Sequence, residues 1–416
     1  MIRQIKGQLN GRISWRQTFT ALKYPNYRLW FRGQMISLVG SWMQTTAQAY
    51  LIFDLTKSPA YLGYAGFAVG IPTWLFMLYA GVVADRMSRR KLMIITQTSM
   101  MILAFLTAWL TFSHLIQPWH IILLAFGFGT ANAFDAPARQ AMVQELVDCE
   151  DMTNAIALNS AMFNTSVALG PAFGGMTYHL FGPAWCFTIN GLSFIAVIAA
   201  LAAMKLKPFR PKAEKNSVLT ELKEGLDYVV QHSVIRTIIS LIGIIGLFGM
   251  AFATLMPAWA VNILHGNAKT NGFLQSARGF GALASALLIA SLGRFKFRGK
   301  LLTFGSFAFP ALLVIFSFIR GMPLSMLFLF GIGFAHILVF NLANASVQTL
   351  TPDALRGRVM SIYSLVFFGS LPIGALLIGW MATKAGEPTT IVINSLITLT
   401  YAAILWTFMP KLRKLE

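Results

Sequence analysis

Charge is scarce in this sequence, and negative charge scarcest. Of 416 residues only 14 are Asp or Glu and 11% are charged at all, against ~25% in an ordinary soluble domain. So few ionic groups cannot clothe a water-facing surface, which excludes a soluble globular protein. Cysteine is nearly missing too: Cys149 and Cys186 are the only two, expected in a loop on one side of a membrane and at the start of a span on the other, so no disulfide between them is expected. The six histidines are dispersed without ligand spacing, so no metal site is expected. Enzyme fingerprints are absent as well. In "GRFKFRGKL" five residues rather than four separate the glycines, and Leu301 follows Lys300 where a phosphate loop needs Ser or Thr. "GFGTAN" lacks the third glycine of a dinucleotide fingerprint. Neither an enzyme nor a cofactor is expected.

Apolar sequence takes the place of charge, at 56% hydrophobic residues and a mean hydropathy of +0.65. A bilayer core takes about 20 apolar residues to cross as a helix. Twelve such runs are present: 29–53, 60–83, 91–113, 119–143, 154–179, 184–204, 235–263, 271–292, 301–319, 323–349, 358–382 and 388–409. The expected fold class is an all-α membrane protein of twelve transmembrane helices. The net charge of +19 would suggest nucleic acid in a soluble chain, but its placement is topological. With the N-terminus inside, 28 of the 33 Lys and Arg fall on cytoplasmic segments, Lys57, Lys269, Arg320 and Lys384 fall outside, and Arg278 falls within a span. The positive-inside rule then puts both termini in the cytoplasm. The basic partner is anionic lipid, not nucleic acid. Trp119 and Trp185 stand where outer-leaflet anchors are expected. The first 28 residues hold six basic side chains and no apolar core, so no cleaved signal peptide is expected. Ile2, Ile5, Leu9 and Ile13 give that segment a weak amphipathic face.

A polar stretch at 205–234, with Pro208 and Pro211 at its start and a short amphipathic helix from about Ser217, divides the spans six and six. The expected units are a basic N-terminal segment 1–28, a bundle 29–204, the linker, a second bundle 235–409 and a tail 410–416. The bundles are related. "AMVQEL" at 141–146 matches "ASVQTL" at 345–350 and "INGL" at 189–192 matches "INSL" at 393–396, both at an offset of 204. Pro171 and Pro372 correspond with a drift of three. Such a duplication is the architecture of rocking-bundle transporters, with a monomer as the default.

Polar residues inside the spans are costly and mark cavities or helix contacts. In the first span Gln34, Ser37, Ser41, Gln44 and Gln48 recur at steps of three and four, one helical face expected to line a hydrated path between the bundles. Asn341, Asn344 and Gln348 repeat the device in the tenth span, with His336 near the depth of Asn132. Interhelical hydrogen bonding explains any single one of these equally well. In the fourth span Asp135 and Arg139 stand at i and i+4, where each ion alone would cost roughly 2.5–3.5 kcal/mol. Protonating Asp135 would free Arg139 for an anion or a second acid; the alternative is a structural ion pair with Arg139 reaching for water.

"GVVADRMSRRK" at 81–91 resembles the major facilitator superfamily, whose loop pattern is Gly-x-x-x-Asp-Arg-x-Gly-Arg-Arg/Lys. Gly81, Asp85, Arg86, Arg89 and Arg90 match and Ser88 replaces the second glycine. The resemblance implies a contact of Asp85 with the start of the eleventh span near Arg358, across the seam, while the arginines would pair with the acids of "ELVDCED". In the second half "GRFKFRGK" keeps the bases without the Asp. "NTSVALGPAFGGMTY" resembles the motif of the superfamily's exporters, with Gly170, Pro171, Gly174 and Gly175 in place and Ser166 where an earlier Gly is usual. "ALKYPNYRLW", "DAPARQAMVQELV" and "LGPAFGG" are similar to bacterial drug:proton antiporters that include siderophore exporters of the enterobactin-efflux type. The resemblance implies an inner-membrane antiporter that exchanges protons for a small amphiphilic drug or siderophore, Asp135 and Arg139 being the coupling candidates. Abundant Met and Phe, 20 and 34, would suit bulky cargo. Uptake or facilitated diffusion is the alternative within transport, and a non-transporting sensor the alternative outside it.

Overall fold

A computed structural model of the chain describes residues 19–206, 218–292 and 298–409. The basic N-terminal face at residues 2–13, the linker prolines, residues 293–297 of the second basic loop and the tail lie outside the described residues. The described secondary structure is helical throughout. The first half holds α1 (Pro25–Thr56), α2 (Pro59–Arg86), α3 (Arg89–Phe112), α4 (Pro118–Leu146), α5 (Met152–Phe181) and α6 (Pro183–Ala203). After the short helix α7 (Val218–Gln231) come α8 (Ser233–Ile263), α9 (Ala268–Leu292), α10 (Arg298–Phe316), α11 (Met322–Leu350), α12 (Asp353–Ala385) and α13 (Glu387–Phe408). Proline opens α1, α2, α4, α6, α11 and α13, where its missing N–H costs no bond and its fixed φ suits the first turn.

Ten of these helices are long and apolar enough to cross a bilayer. By that measure α1 and α5 fall short, although they run for 32 and 30 residues, because amides, hydroxyls and glycines interrupt their apolar sequence. They pack on each other, so the two long helices that fall short share an interior contact. Large apolar side chains such as Leu180, Phe318 and Trp380 are exposed on the outside, as a lipid-facing surface requires.

The helices run up and down between two ends. One end gathers the start of α1, the α2–α3 and α4–α5 turns, the end of α6, and α7 with the start of α12. Asn26 donates to the Lys205 carbonyl there (2.9 Å), and Arg358 pairs with Glu224. This end carries most of the basic residues and is called the charged end. At the opposite end Tyr50 and Tyr178 pack edge to face at 5.0 Å, and Asn262 donates to Glu387 at 2.7 Å.

Two main crossings join the halves, α2 with α12 and α5 with α9, with smaller contacts of α1 and α2 to α8 and of α1 to α9. Both are glycine-on-glycine. A Cβ on Gly175 would stand 2.9 Å from the Gly272 Cα, and one on Gly379 would stand 2.9 Å from the Gly63 Cα. Only residues without side chains let helices approach so closely. Gly175 and Gly379 are separated by 204 residues, as are Gly182 and Gly386, which take φ of +90° and +77° in the α5–α6 and α12–α13 turns. The offset read from "AMVQEL" and "INGL" therefore recurs in backbone geometry.

The run 235–263 is a span, α8, but not a regular α-helix throughout. Its turns widen to π geometry at Ile245–Gly249 and Trp259–Ile263 and tighten to 3-10 geometry at Met250–Leu255. Gly246, Gly249 and Pro257 weaken the regular ladder, and Gly243 and Gly246 press against Val366 and Ser370 of α12.

Candidate transport site

At the charged end the α2–α3 turn is built as its charges dictate, except across the seam. Arg89 donates to Glu145 at 2.7 Å and to the Ala141 carbonyl at 3.1 Å, tying α3 to α4. Arg90 donates to the carbonyls of Ala202 (2.6 Å) and Met204 (3.1 Å), where the α6 dipole welcomes a cation. Ser88 holds φ −54°, so its position demands no glycine. Asp85 is exposed and makes no hydrogen bond or ion pair among the described residues, beside Arg86, which is also exposed. A Cβ on Gly81 or on Gly357 of α12 would meet nothing within 4 Å. Hence α2 and α12 touch from the Gly63–Gly379 crossing to the Trp74–Gly369 contact, and beyond it neither Gly81 nor Gly357 has a neighbour against it. Of the acids in "ELVDCED", only Glu145 meets an arginine of this loop. Tyr24 donates to Asp148 and Asp151, at 3.1 and 2.8 Å, and the Lys23 ammonium sits 2.6 Å from Asp151. Lys23 first, and Tyr24 second, hold the Asp151 carboxyl below its ordinary range.

Asp135 is 1% exposed. Its Oδ1 accepts from Thr96 and Gln97 of α3, both at 2.9 Å, and its Oδ2 lies 3.8 Å from Arg139 Nε. The acid is thus held inside the first half between α3 and its own helix, with Arg139 beyond hydrogen-bonding distance. Asn132, one turn before, is half-buried.

The α5 motif seats two helices at once. Gly170 faces Val39 and Trp42 of α1, Gly174 faces Met43 of α1, and Gly175 faces Ala268 and Gly272 of α9. Pro171 presents its carbonyl to Gly272. Ser166 returns its hydroxyl to the Met162 carbonyl at 2.9 Å, which lets a polar residue stand buried.

The polar face of α1 divides. Gln34, Ser37 and Gln44 are buried, and Gln44 accepts from Asn190 of α6 at 2.7 Å, beside Gly40, which abuts Asn190 and Ser193. Ser41 and Gln48 are half-buried. Gln44 therefore serves the α1–α6 contact within the first half, while the Gln34 Oε1 is buried without a partner. On α11, Asn341 and Asn344 are half-buried, and exposed Gln348 donates to Asn344 at 2.7 Å. His336 is half-buried between Phe309 (5.8 Å) and Phe340 (6.2 Å), and its Nε2 is buried without a partner.

A further cluster lies on α9. Asn271, Gln275 and Arg278 follow at steps of four and three, and Ser285 continues the same face. Exposed Phe280, Leu287 and Leu288 occupy the other side of the helix, toward lipid. Gly272 and Gly279 flank the polar face toward α5, and Gly281 flanks it toward α11. The face accordingly looks into the molecule. Both amide atoms of Asn271 and the Gln275 Oε1 are buried without partners, and Arg278 makes no hydrogen bond or ion pair among the described residues. Gly333 of α11 abuts the Arg278 carbonyl, which places His336, three residues on, about one helical turn from that contact. The stepwise polar pattern that marks α1 is present in α9 too, with Gln275 and Asn271 one and two turns before Arg278.

The profile of the family described as "Transmembrane secretion effector" matches residues 16–416. The Staphylococcus aureus staphyloferrin A transporter is 22% identical, over 94% of this chain and 98% of that one. The multidrug efflux pump Tap of Mycolicibacterium fortuitum is 25% identical over 91% and 94%, and the Citrobacter koseri enterobactin exporter EntS 25% over 97% and 96%. Among solved structures, a bacterial homologue of the lysosomal transporter Spinster, inward-facing and unoccupied, superposes with a TM-score of 0.72 at 11% identity, covering 96% of this chain and 99% of that one. The nucleoside transporter NupG does so with 0.73 at 14%, covering 93% and 99%.

Proposed function

Because the chain belongs to the transmembrane secretion effector family of major facilitator transporters, a family of membrane transporters rather than enzymes, we propose that it is a proton-coupled exporter of a small amphiphilic compound such as a drug or siderophore. One observation carries this reading: two matched glycine crossings join the halves toward one end, while Asp85, Gly81 and Gly357 stand apart at the other. Two bodies hinged in this way can open to one side at a time. In this reading α1 and α5 are spans, giving six plus six around a central path, in a monomer. The charged end with both termini faces the cytoplasm of a bacterial inner membrane, its bases against anionic lipid, so the cleft opens toward the compartment that cargo leaves.

The coupling pair is Asp135 with Arg139. Thr96 and Gln97 donate to one oxygen of Asp135, and the 3.8 Å gap to Arg139 leaves a guanidinium that a change of charge on Asp135 would release. Ser41, Gln48, Asn132, Asn341 and Asn344, at least partly accessible, serve as lining. The test uses inside-out vesicles carrying a proton gradient. Catecholate siderophores and lipophilic dyes should dissipate the gradient with the wild type and fail to do so with Asp135→Asn. Equal dissipation by both would move the coupling site elsewhere, and flux insensitive to an uncoupler would favour facilitated diffusion.

A further inference from the structure

Other arginines of this molecule meet an acid or backbone carbonyls. Arg89 has Glu145, Arg358 has Glu224, Arg139 has Asp135, and Arg90 and Arg320 have backbone oxygens. Arg278 has none among the described residues, although it stands midway along a span. A cation there is expensive unless something neutralises it. Around it the protein supplies more hydrogen-bonding groups than it uses: both amide atoms of Asn271, the Gln275 Oε1 and the His336 Nε2. Asn271 is itself only 1% exposed. Buried polar atoms without partners are rare and call for an explanation. The acids give none, because Asp135 and Glu387, the buried acids among the described residues, are engaged by Thr96 with Gln97 and by Asn262.

We propose that Arg278, with Asn271, Gln275 and His336, binds an oxyanion of the transported compound, a carboxylate or catecholate, so that the cargo is an amphiphilic anion. This rests on the exporter reading above and narrows its substrate class. The guanidinium offers a planar fork suited to two oxygens of one group, and the amides extend the donor set along the same helical face. The body of the compound would lie against the aromatic wall that continues from His336 through Phe340 to Phe367, whose rings are 4.7 Å apart. Neutral or cationic cargo would leave the guanidinium uncompensated.

The experiment is ligand-induced thermal stabilisation of the full chain in lipid nanodiscs. The probes are enterobactin, a citrate-based siderophore, carboxyfluorescein, inorganic phosphate and the cation ethidium. At least one organic anion should stabilise the wild type. Arg278→Gln should weaken that binding by roughly thirtyfold or more, the loss that follows removal of one partner of a buried charge pair. Arg278→Lys should retain most of it. Without ligand, Arg278→Gln should melt no lower than the wild type, whereas a structural arginine would lower the melting temperature. The proposal is overturned if only ethidium or only phosphate stabilises the protein, if no probe does, or if the anion effect survives unchanged in Arg278→Gln. Anion binding without flux in vesicles would sink the exporter reading and leave this site standing; flux of ethidium with no anion binding would do the reverse.

Discussion

Within an apolar slab a charge needs a counter-charge or a shell of donors, and Asp135 has both in Thr96, Gln97 and Arg139. Outside the slab the same chemistry clamps the entry to α1. Lys23 and Tyr24 reach Asp151 across the α4–α5 turn, and the Ala21 amide donates to Asn154. Because the Asp151 carboxyl is depressed, its contribution is complete above the unfolded carboxylate range and is lost as pH falls through the lower folded value. Lys23 is raised by the same contact, so its contribution holds below its unfolded range and is lost only as pH rises through the higher folded value. Neutral pH lies between. There, Asp151→Asn should speed trypsin cleavage after Lys23, and an unchanged cleavage rate would show that the clamp does not hold the segment. Single charges such as Asp135, Arg139 and Arg278 were legible because each interrupts an apolar run. What Gln44 faces was not, since period shows which residues share a helical face but not which neighbour they meet, and Asn190 lies 146 positions away.

Helices make the junctions between the halves, and glycine decides where they cross. A Cβ on Gly175 would come 2.6 Å from the Ala268 carbonyl, which is backbone and cannot swing aside. Gly175→Val should therefore pry α5 from α9, with overpacking of about 1–3 kcal/mol. A reporter is already present: Cys186 is fully buried, its thiol 3.5 Å from the Gly174 carbonyl, while Cys149 is exposed. With Cys149→Ser as background, maleimide should label Gly175→Val at Cys186 and leave the parent protein unlabelled. Absence of labelling in both would mean that the crossing absorbs the extra bulk. The motif "LGPAFGG" was visible in the sequence, but its division of labour, Gly170 and Gly174 for α1 and Gly175 for α9, comes from three-dimensional placement. The broken geometry of α8 was also out of reach, because Gly246, Gly249 and Pro257 sit in an apolar run where glycine and proline are common.

At the scale of the whole molecule, the shared offset makes the two crossings equivalent, and in the proposed transport cycle the halves would pivot about both together. The offset of 204 joins Gly175 to Gly379 and Gly182 to Gly386, which explains why one repeat in the sequence corresponds to one pseudo-symmetry in the fold. The charged end breaks that symmetry, since an Asp at the end of α2 has no counterpart in "GRFKFRGK". Pivoting that end shut would carry Asp85 toward the positive N-terminal dipole of α12, where Asp353 and Arg356 already pair with each other. Gly81 and Gly357 would approach with it, and both have open space around them here. Cysteines at these two positions, in a chain without Cys149 and Cys186, should crosslink slowly at rest and faster during substrate turnover. The crosslinked protein should lose transport and regain it on reduction. Crosslinking at one rate with and without substrate, or transport that survives the bridge, would show that the two ends of α2 and α12 do not close on each other. A bridge that forms only in turnover would mean that the parted end seen here is one stage of a cycle, and that the glycine crossings are the pivot on which the cycle turns.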